Sequence, residues 1–346
     1  MRLLYILVQK NQDMTTITKR FTTYRDGEGK DTESSEMERG GAGLTMNEMV
    51  TYANGLIEDL RCIGKHAMAR RYRLTLASLM RFMRETDVRP EVITTTFIDG
   101  YEESMRKRGL CRNTTSFYMR NLRSIINRAS DAGYDVPHNL FRHVYMGIDR
   151  TVKRSVTLKT MCSIRDLDLS GYPHLDFARN IFMFAFYMRG MSFVDMAFLK
   201  KSDLRHGIIT YSRRKTSQQI RVRVEAQTRE VMERLGESGT RYLLPLIVKD
   251  GRDGYEEYRS VYHRINRNLK KVGEMLGLDT KLTLYVARHT WASIAYRNNV
   301  PVSIISKAMG HDSETTTHIY LSSIDTAAVD SANSRIIALM QGKSGK

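Results

Sequence analysis

The sequence predicts a mainly α-helical chain of two domains, with a small β-hairpin or sheet in the second. Three observations predict it. Apolar residues recur at helical intervals through four stretches between residues 46 and 129. One segment, 208–224, alternates apolar and polar residues on both sides of a polar turn. The length, 346 residues, suits about two domains, and a basic, weakly patterned stretch at 139–155 lies between two regions rich in apolar residues.

The elements follow in chain order. Residues 1–44 read as a flexible arm, because DGEGKDTESSEMERGGAG is polar, glycine-rich and poor in large apolar groups. The apolar run from Leu3 to Val8 is too short to span a bilayer and lacks a small-residue cleavage site, and Met14 offers an alternative start. A first domain, 45–150, holds helices at about 46–62, 66–83, 91–106 and 114–129, the last capped by Asn113 or Thr114. In the fourth helix Phe117, Leu122, Ile125 and Ile126 share one side, and Arg112, Arg120, Arg123 and Arg128 lie elsewhere. Residues 151–155 read as a linker.

The second domain, 156–346, opens on a helix at 177–188 that is apolar nearly all round and so should be buried. Strands at 208–211 and 219–224 flank SRRKTS. Helices follow at about 258–276, 285–298, 301–309 and 313–322, with a last one near 327–340. Pro301 suits a helix start, and Gly310 a left-handed helix end.

Composition narrows the function. Lys and Arg number 55 against 38 Asp and Glu, a net charge of +17. The excess lies in the two folded regions, about +8 over 51–155 and +10 over 156–346, against −1 before them. Such a chain suits a polyanion held between two lobes, nucleic acid first. Cys62, Cys111 and Cys162 are isolated, which fits a reduced chain without disulfides in the cytoplasm. The histidines match no zinc spacing, so no metal site is expected.

Five positions carry candidate chemistry, and each has a plain alternative. Arg189 ends the buried helix, where a cation also complements the helix dipole, and Asp195 could pair with it. Lys215 sits on the hairpin turn, where solvated charge is common. Arg288 shares a helix with Tyr285 and His289, away from an apolar stripe of Ala287, Trp291, Ile294 and Ala295, and a lone arginine usually ends in a salt bridge. His311 follows Gly310 on a tight turn. Tyr320 lies nine residues beyond His311 among small polar neighbours, an unusual setting for a core tyrosine.

Each signal is weak alone, but their order is specific. RGMSFVDMAFL, RRKTS, YVARHTWAS and MGHDSETTTHIY together resemble the tyrosine recombinases, the phage-integrase family of site-specific DNA recombinases. The resemblance spans 156–346, and the helical region 45–150 looks like that family's core-binding domain. It implies a two-domain, C-shaped DNA clamp that cleaves and rejoins strands through a 3′-phosphotyrosine. Arg189 and Arg288 would clamp the scissile phosphate. Tyr320 would attack it. Lys215 would protonate the leaving 5′ oxygen. His311 would hydrogen-bond the phosphate, and Asp195 would brace Arg189. Tyr285 departs from the family's usual His; a phenol ionises near about 10, so a hydrogen-bonding role is expected of it rather than a base role.

The resemblance further implies double-stranded DNA sites as partner, a homotetramer during synapsis that is a monomer or weak oligomer off DNA, no cofactor, no metal and no membrane. The last helix would dock on a neighbouring subunit. Arg112, Thr114 and Arg120 are candidate DNA contacts. Two other readings compete. VSIISKAMGHDSETTTHIY also reads as a helix-turn-helix, so a transcriptional regulator that leaves DNA intact is the alternative. A relaxing enzyme of the type IB topoisomerase kind would share the chemistry.

Overall fold

The computed structural model describes residues 44–88, 90–149, 154–249, 251–321, 333–334 and 337. The expected arm at 1–44 lies outside them except for Leu44, and so do residues 151–153 of the linker. Contacts divide the chain into two units between Arg150 and Thr151.

The first unit is a helical bundle. Its helices are α1 (Met46–Cys62), α2 (His66–Thr86), α3 (Thr95–Lys107) and α4 (Arg112–Asp131). The start of α1 is fixed by a capping box: the Thr45 hydroxyl accepts from the Glu48 backbone N–H, and the Glu48 carboxylate accepts from the Thr45 N–H. At the start of α3 the Thr94 hydroxyl accepts from the Phe97 N–H. The fully buried Met49, Leu79, Ile98, Tyr101, Met105, Met119, Leu122 and Ile125 come from all four helices and form one core. Phe117, expected on this side, is only partly buried; Met119 and Ser116 take the inward positions.

The expected cap of α4 is corrected. The N-cap residue is Cys111, with no side-chain cap. Asn113 instead holds the outgoing chain: its amide donates to the Asp149 carbonyl at 3.0 Å and its Oδ1 accepts the Asp149 N–H at 2.8 Å.

The second unit is built around α6 (Pro173–Tyr187), whose apolar surface runs nearly all round it, as Phe182 and Phe184 are fully buried on opposite faces. Around it lie α5 (Leu158–Asp166), α7 (Phe193–Ala197), α8 (Ala226–Leu235), the long α9 (Gly251–Met275) and α10 (Leu284–Arg297). Helices α8, α9 and α10 pack directly on α6. An antiparallel sheet of order β1-β2-β3 joins Leu204–Arg205, Ile208–Ser212 and Gln219–Arg223. Ile209 pairs with Val222 and Tyr211 with Ile220, and these four are the residues that face the core. Helices α11 (Val302–Met309) and α12 (Glu314–Leu321) close a small satellite core of Ala292, Ile305, Met309 and Leu321.

The sequence reading missed α5, α7, α8 and β1. Helix α8 shows why: only Thr228, Val231 and Leu235 are buried in AQTREVMERL, too few to show a clear period. Of the last expected helix, residues 333, 334 and 337 are helical, and the rest lies outside the described residues. Among the described residues no helix is long and apolar enough to cross a membrane.

Candidate active site

The site grows from the ends of two helices. At the end of α6 the Gly190 N–H reaches the Ala185 carbonyl at 2.8 Å, and the Arg189 N–H reaches Phe186 at 3.1 Å. These are the two bonds of a Schellman ending, which needs its penultimate residue in the left-handed region. Here that residue is Arg189, with φ 57°. The guanidinium is thereby carried off the buried helix, with its Nη1 3.5 Å from the Arg221 carbonyl on β3.

Gly190 follows, also left-handed at φ 72°. A Cβ there would lie 2.9 Å from Cα of Arg288. The glycine thus lets α10 approach closely enough for Arg288 to be buried at 4% exposure. A buried guanidinium needs acceptors. Arg288 Nη1 donates to the Gly190 carbonyl at 2.7 Å, and Nη2 donates to the Met309 carbonyl at 2.8 Å. Nη2 also lies 2.9 Å from Nε2 of His311.

That last contact fixes the histidine. A guanidinium only donates, so Nε2 accepts and the ring proton sits on Nδ1, which donates to the Thr317 hydroxyl at 2.7 Å. Burial, with Arg288, Arg213 and Lys215 nearby, pushes the His311 pKa down to about 3. His311 is therefore neutral near pH 7. It was expected to hydrogen-bond a phosphate, but both ring nitrogens are already taken; its position suits it to orienting Arg288.

The hairpin supplies the other wall. Lys215 is exposed on the turn between β2 and β3, close enough to His311 to weigh on its titration. Two residues earlier, Arg213 is buried at 6% exposure and donates from Nη1 to the Gly310 carbonyl. Sequence reasoning missed it. Thr216 Oγ1 donates to the same carbonyl at 3.3 Å. Asp195 was expected to brace Arg189, but its carboxylate accepts from the Ser192 hydroxyl at 2.6 Å and from the Arg214 N–H at 2.9 Å. It holds the hairpin turn from α7.

One buried side chain registers the gathering. Burial and the Asp195 charge push the Tyr211 hydroxyl pKa upward, while Arg288, Arg213 and Arg189 all pull it back. Three arginines, from the end of α6, the hairpin and α10, thus lie within electrostatic reach of one side chain of the sheet. Tyr285 lies one turn before Arg288, half exposed, with its ring edge-on to His289 at 4.4 Å. His289 is buried with the Arg288 side of α10. Tyr320 falls in the last turn of α12; its side chain lies outside the described residues.

The DNA contacts expected on α4 are placed in the first unit. The Arg112 guanidinium lies 3.7 Å over the Tyr145 ring and 3.7 Å from Asp149. The Thr114 hydroxyl meets Cys111 Sγ at 3.1 Å. Arg120 is exposed and lines a groove of about 500 Å³ with Arg123, Asn127 and Arg128.

Both units of the chain match known protein families. Residues 175–326, which include every candidate of the second unit, match the Phage integrase family, and residues 48–143 match the Phage integrase SAM-like domain. Among solved structures, a lambda integrase dimer bound to a COC′ core site aligns with a TM-score of 0.58 at 15% identity, over 80% of this chain and 77% of that one. The Tn1549 transposon integrase in complex with transposon right end DNA aligns at 0.58 and 14%, over 85% and 100%. The XerH site-specific recombinase bound to a palindromic difH substrate aligns at 0.58 and 15%, over 82% and 84%. At these identities the likeness is one of fold. No curated protein matches the chain. With both of its units matched, and its arginines, histidine and hairpin lysine gathered in the second, the chain belongs to the phage integrase family of tyrosine recombinases.

Proposed function

We propose that this protein cuts and rejoins DNA at specific sites, with Tyr320 as nucleophile. The observation that carries the reading is the closed set Gly190–Arg288–His311–Thr317, which holds a guanidinium rigidly beside the hairpin that bears Lys215. Catalysis of phosphoryl transfer rests on such preorganised cations, because negative charge builds on the non-bridging oxygens as phosphorus becomes pentacoordinate.

In the proposed step the Tyr320 phenol oxygen attacks phosphorus and its proton passes to water. The P–O5′ bond breaks, and Lys215 gives a proton to the departing oxygen. Arg189 and Arg288 bind the non-bridging oxygens. The product is a 3′-phosphotyrosine, and attack by a 5′-hydroxyl of another strand reverses the step. One phosphodiester is exchanged for another, so no ATP is needed to drive the exchange. Tyr285, half exposed beside His289, supplies a hydrogen bond at the position where the family usually has His.

Double-stranded DNA is the partner, bound by both basic units, with Arg120 and its neighbours on α4 contacting phosphates; binding should therefore weaken steeply with salt. Strand exchange between two sites calls for a homotetramer on DNA. The cytoplasm is the compartment that suits this partner and the isolated cysteines. The regulator reading is disfavoured because the turn at Gly310, which would be the turn of a helix-turn-helix, is built into Arg288 and Arg213.

Covalent trapping tests the proposal. Purified protein is incubated with nicked DNA from the flanks of its own gene and denatured in detergent. An adduct that disappears with Tyr320→Phe and persists with Tyr285→Phe supports it. Firm binding without any adduct in wild type would return the chain to the regulator class.

A further inference from the structure

We infer that Arg213 is a positioning residue for the general acid: it locks the hairpin turn that carries Lys215 onto the turn at Gly310–His311. The inference rests on Lys215 being the proton donor.

The loop from 213 to 218 is bound on two sides. Within itself, the Arg213 N–H donates to the Gln218 carbonyl at 2.8 Å and the Ser217 N–H donates to the Arg213 carbonyl at 2.7 Å. Toward α7, the Arg214 N–H is held by Asp195 at 2.9 Å, and the Arg214 guanidinium lies 4.1 Å over the Phe198 ring. Toward α11, the Arg213 guanidinium and the Thr216 hydroxyl converge on one acceptor, the Gly310 carbonyl. Lys215 is exposed between these anchors.

Three features give Arg213 the central part. It is buried, as a solvated turn cation would not be. Its bond spans 97 residues of sequence, so it joins two segments that nothing local would hold together. The fit at the junction is also tight. A Cβ on Gly310 would lie 2.6 Å from Ile220 Cδ1 and 3.1 Å from Arg213 Cδ. A long, flexible lysine has many rotamers, and a proton donor is useful only within hydrogen-bond reach of the leaving oxygen. Fixing the backbone on both sides of Lys215 restricts where its ammonium can go.

A leaving-atom swap separates this role from a general loss of structure. Two nicked duplexes from the flanks of the gene are made, one with oxygen and one with sulphur at the bridging 5′ position of the cleaved phosphate. Oxygen must take a proton as the P–O5′ bond breaks; a thiolate leaves with its electron pair and needs none. Lys215→Ala should lose about 100-fold or more in cleavage rate on oxygen and recover most of it on sulphur. Arg213→Met should lose on the order of 10- to 100-fold on oxygen and also recover on sulphur. Thr216→Val, a smaller change at the same acceptor, should repeat the pattern with a loss of about 3- to 10-fold.

Equal slowing of Arg213→Met on both substrates would overturn the inference, since the defect would then lie with Tyr320 or Arg288. If Arg213→Met fails to fold, Thr216→Val decides on the same criterion. A Lys215→Ala enzyme that sulphur cannot rescue would sink the reading of Lys215 itself, an outcome distinct from failure of Arg213 alone.

Discussion

Helices α6 and α11 end in the same pair of backbone bonds, yet different residues occupy the left-handed position. At α6 the N–H groups of 189 and 190 reach the carbonyls of 186 and 185; at α11 those of 310 and 311 reach 307 and 306. The left-handed residue is Arg189 in one and Gly310 in the other. The same bond pair ends α1, α3, α4, α9 and α10, with Gly64, Gly109, Gly133, Gly277 and Asn299 in that place. Arginine is the outlier, since a Cβ in this conformation costs roughly 1–2 kcal/mol. Packing explains the swap. At α11 the hairpin presses on the left-handed residue itself, so that residue is glycine. At α6 the helix bearing Arg288 presses on the following residue, so the glycine is moved one place on, to 190. The left-handed position is then open to a functional side chain, and the strain is retained with it.

The comparison ranks the consequences of changing each residue. Gly190→Ala should be the most damaging. Its new methyl meets the Cα of Arg288 at 2.9 Å, and a backbone atom cannot swing aside. With the left-handed penalty added, a loss of about 3–5 kcal/mol is expected, with cleavage abolished. Denaturant unfolding measures it. A loss below about 1 kcal/mol would mean that α10 does not depend on this approach.

The residue after the left-handed glycine of α11 yields a pH effect. His311 has its pKa lowered to about 3 by burial and by Arg288, Arg213 and Lys215, against an ordinary value near 6.5. The unfolded chain therefore binds the extra proton first. The contribution is neutral above about pH 6.5, and stability is lost progressively as pH falls from there toward 3. At pH 4.5, before most carboxylates titrate, the loss should be on the order of 2–3 kcal/mol. His311→Asn removes the titration. Comparing melting of the two proteins between pH 7 and 4.5 should show a flatter profile for the variant, and parallel profiles would mean that His311 is protonated freely in the fold.

Gly310→Ala should come next, at about 1–3 kcal/mol. Its conformation is as restrictive as that of Gly190, but the nearest atom is Ile220 Cδ1, the far end of a side chain that can rotate. Pairing Gly310→Ala with Ile220→Val tests this directly: the second change should relieve part of the first. No relief would place the cost in the backbone alone.

Much of this site was legible in the sequence, for definable reasons. Gly310 could be placed in a left-handed turn because the apolar period stops there, and Arg288 could be aimed away from the Ala287–Trp291 stripe. The depth of burial was not legible. Arg288 and His289 are enclosed along with Val286 and Ala287, because Gly190 and the turn from Met309 to His311 close on that turn of α10. Arg213 was hidden in SRRKTS by two neighbouring cations, although strand parity carries its signal: Tyr211 faces inward, Ser212 outward and Arg213 inward again. The Asp195–Arg214 and His311–Arg288 bonds span 19 and 23 residues of sequence, which no local pattern records.

The smallest expected effect is the sharpest test of the comparison, because it has the opposite sign. Arg189→Gly introduces the residue type that all but one of the other helix ends named above use. Glycine removes the left-handed penalty but has more freedom to lose on folding, so a net gain of about 1 kcal/mol is expected. Arg189→Ala keeps the Cβ and should gain nothing. Both variants should lose covalent adduct formation, since each removes the guanidinium proposed to bind the phosphate. Urea unfolding of the two variants beside wild type separates the contributions. Greater stability in the glycine variant alone, with activity lost in both, would show that the chain retains a strained arginine for its chemistry. Equal stability of the glycine and alanine variants would mean that the turn at 189 stores no strain, and the contrast between α6 and α11 would reduce to packing around their glycines.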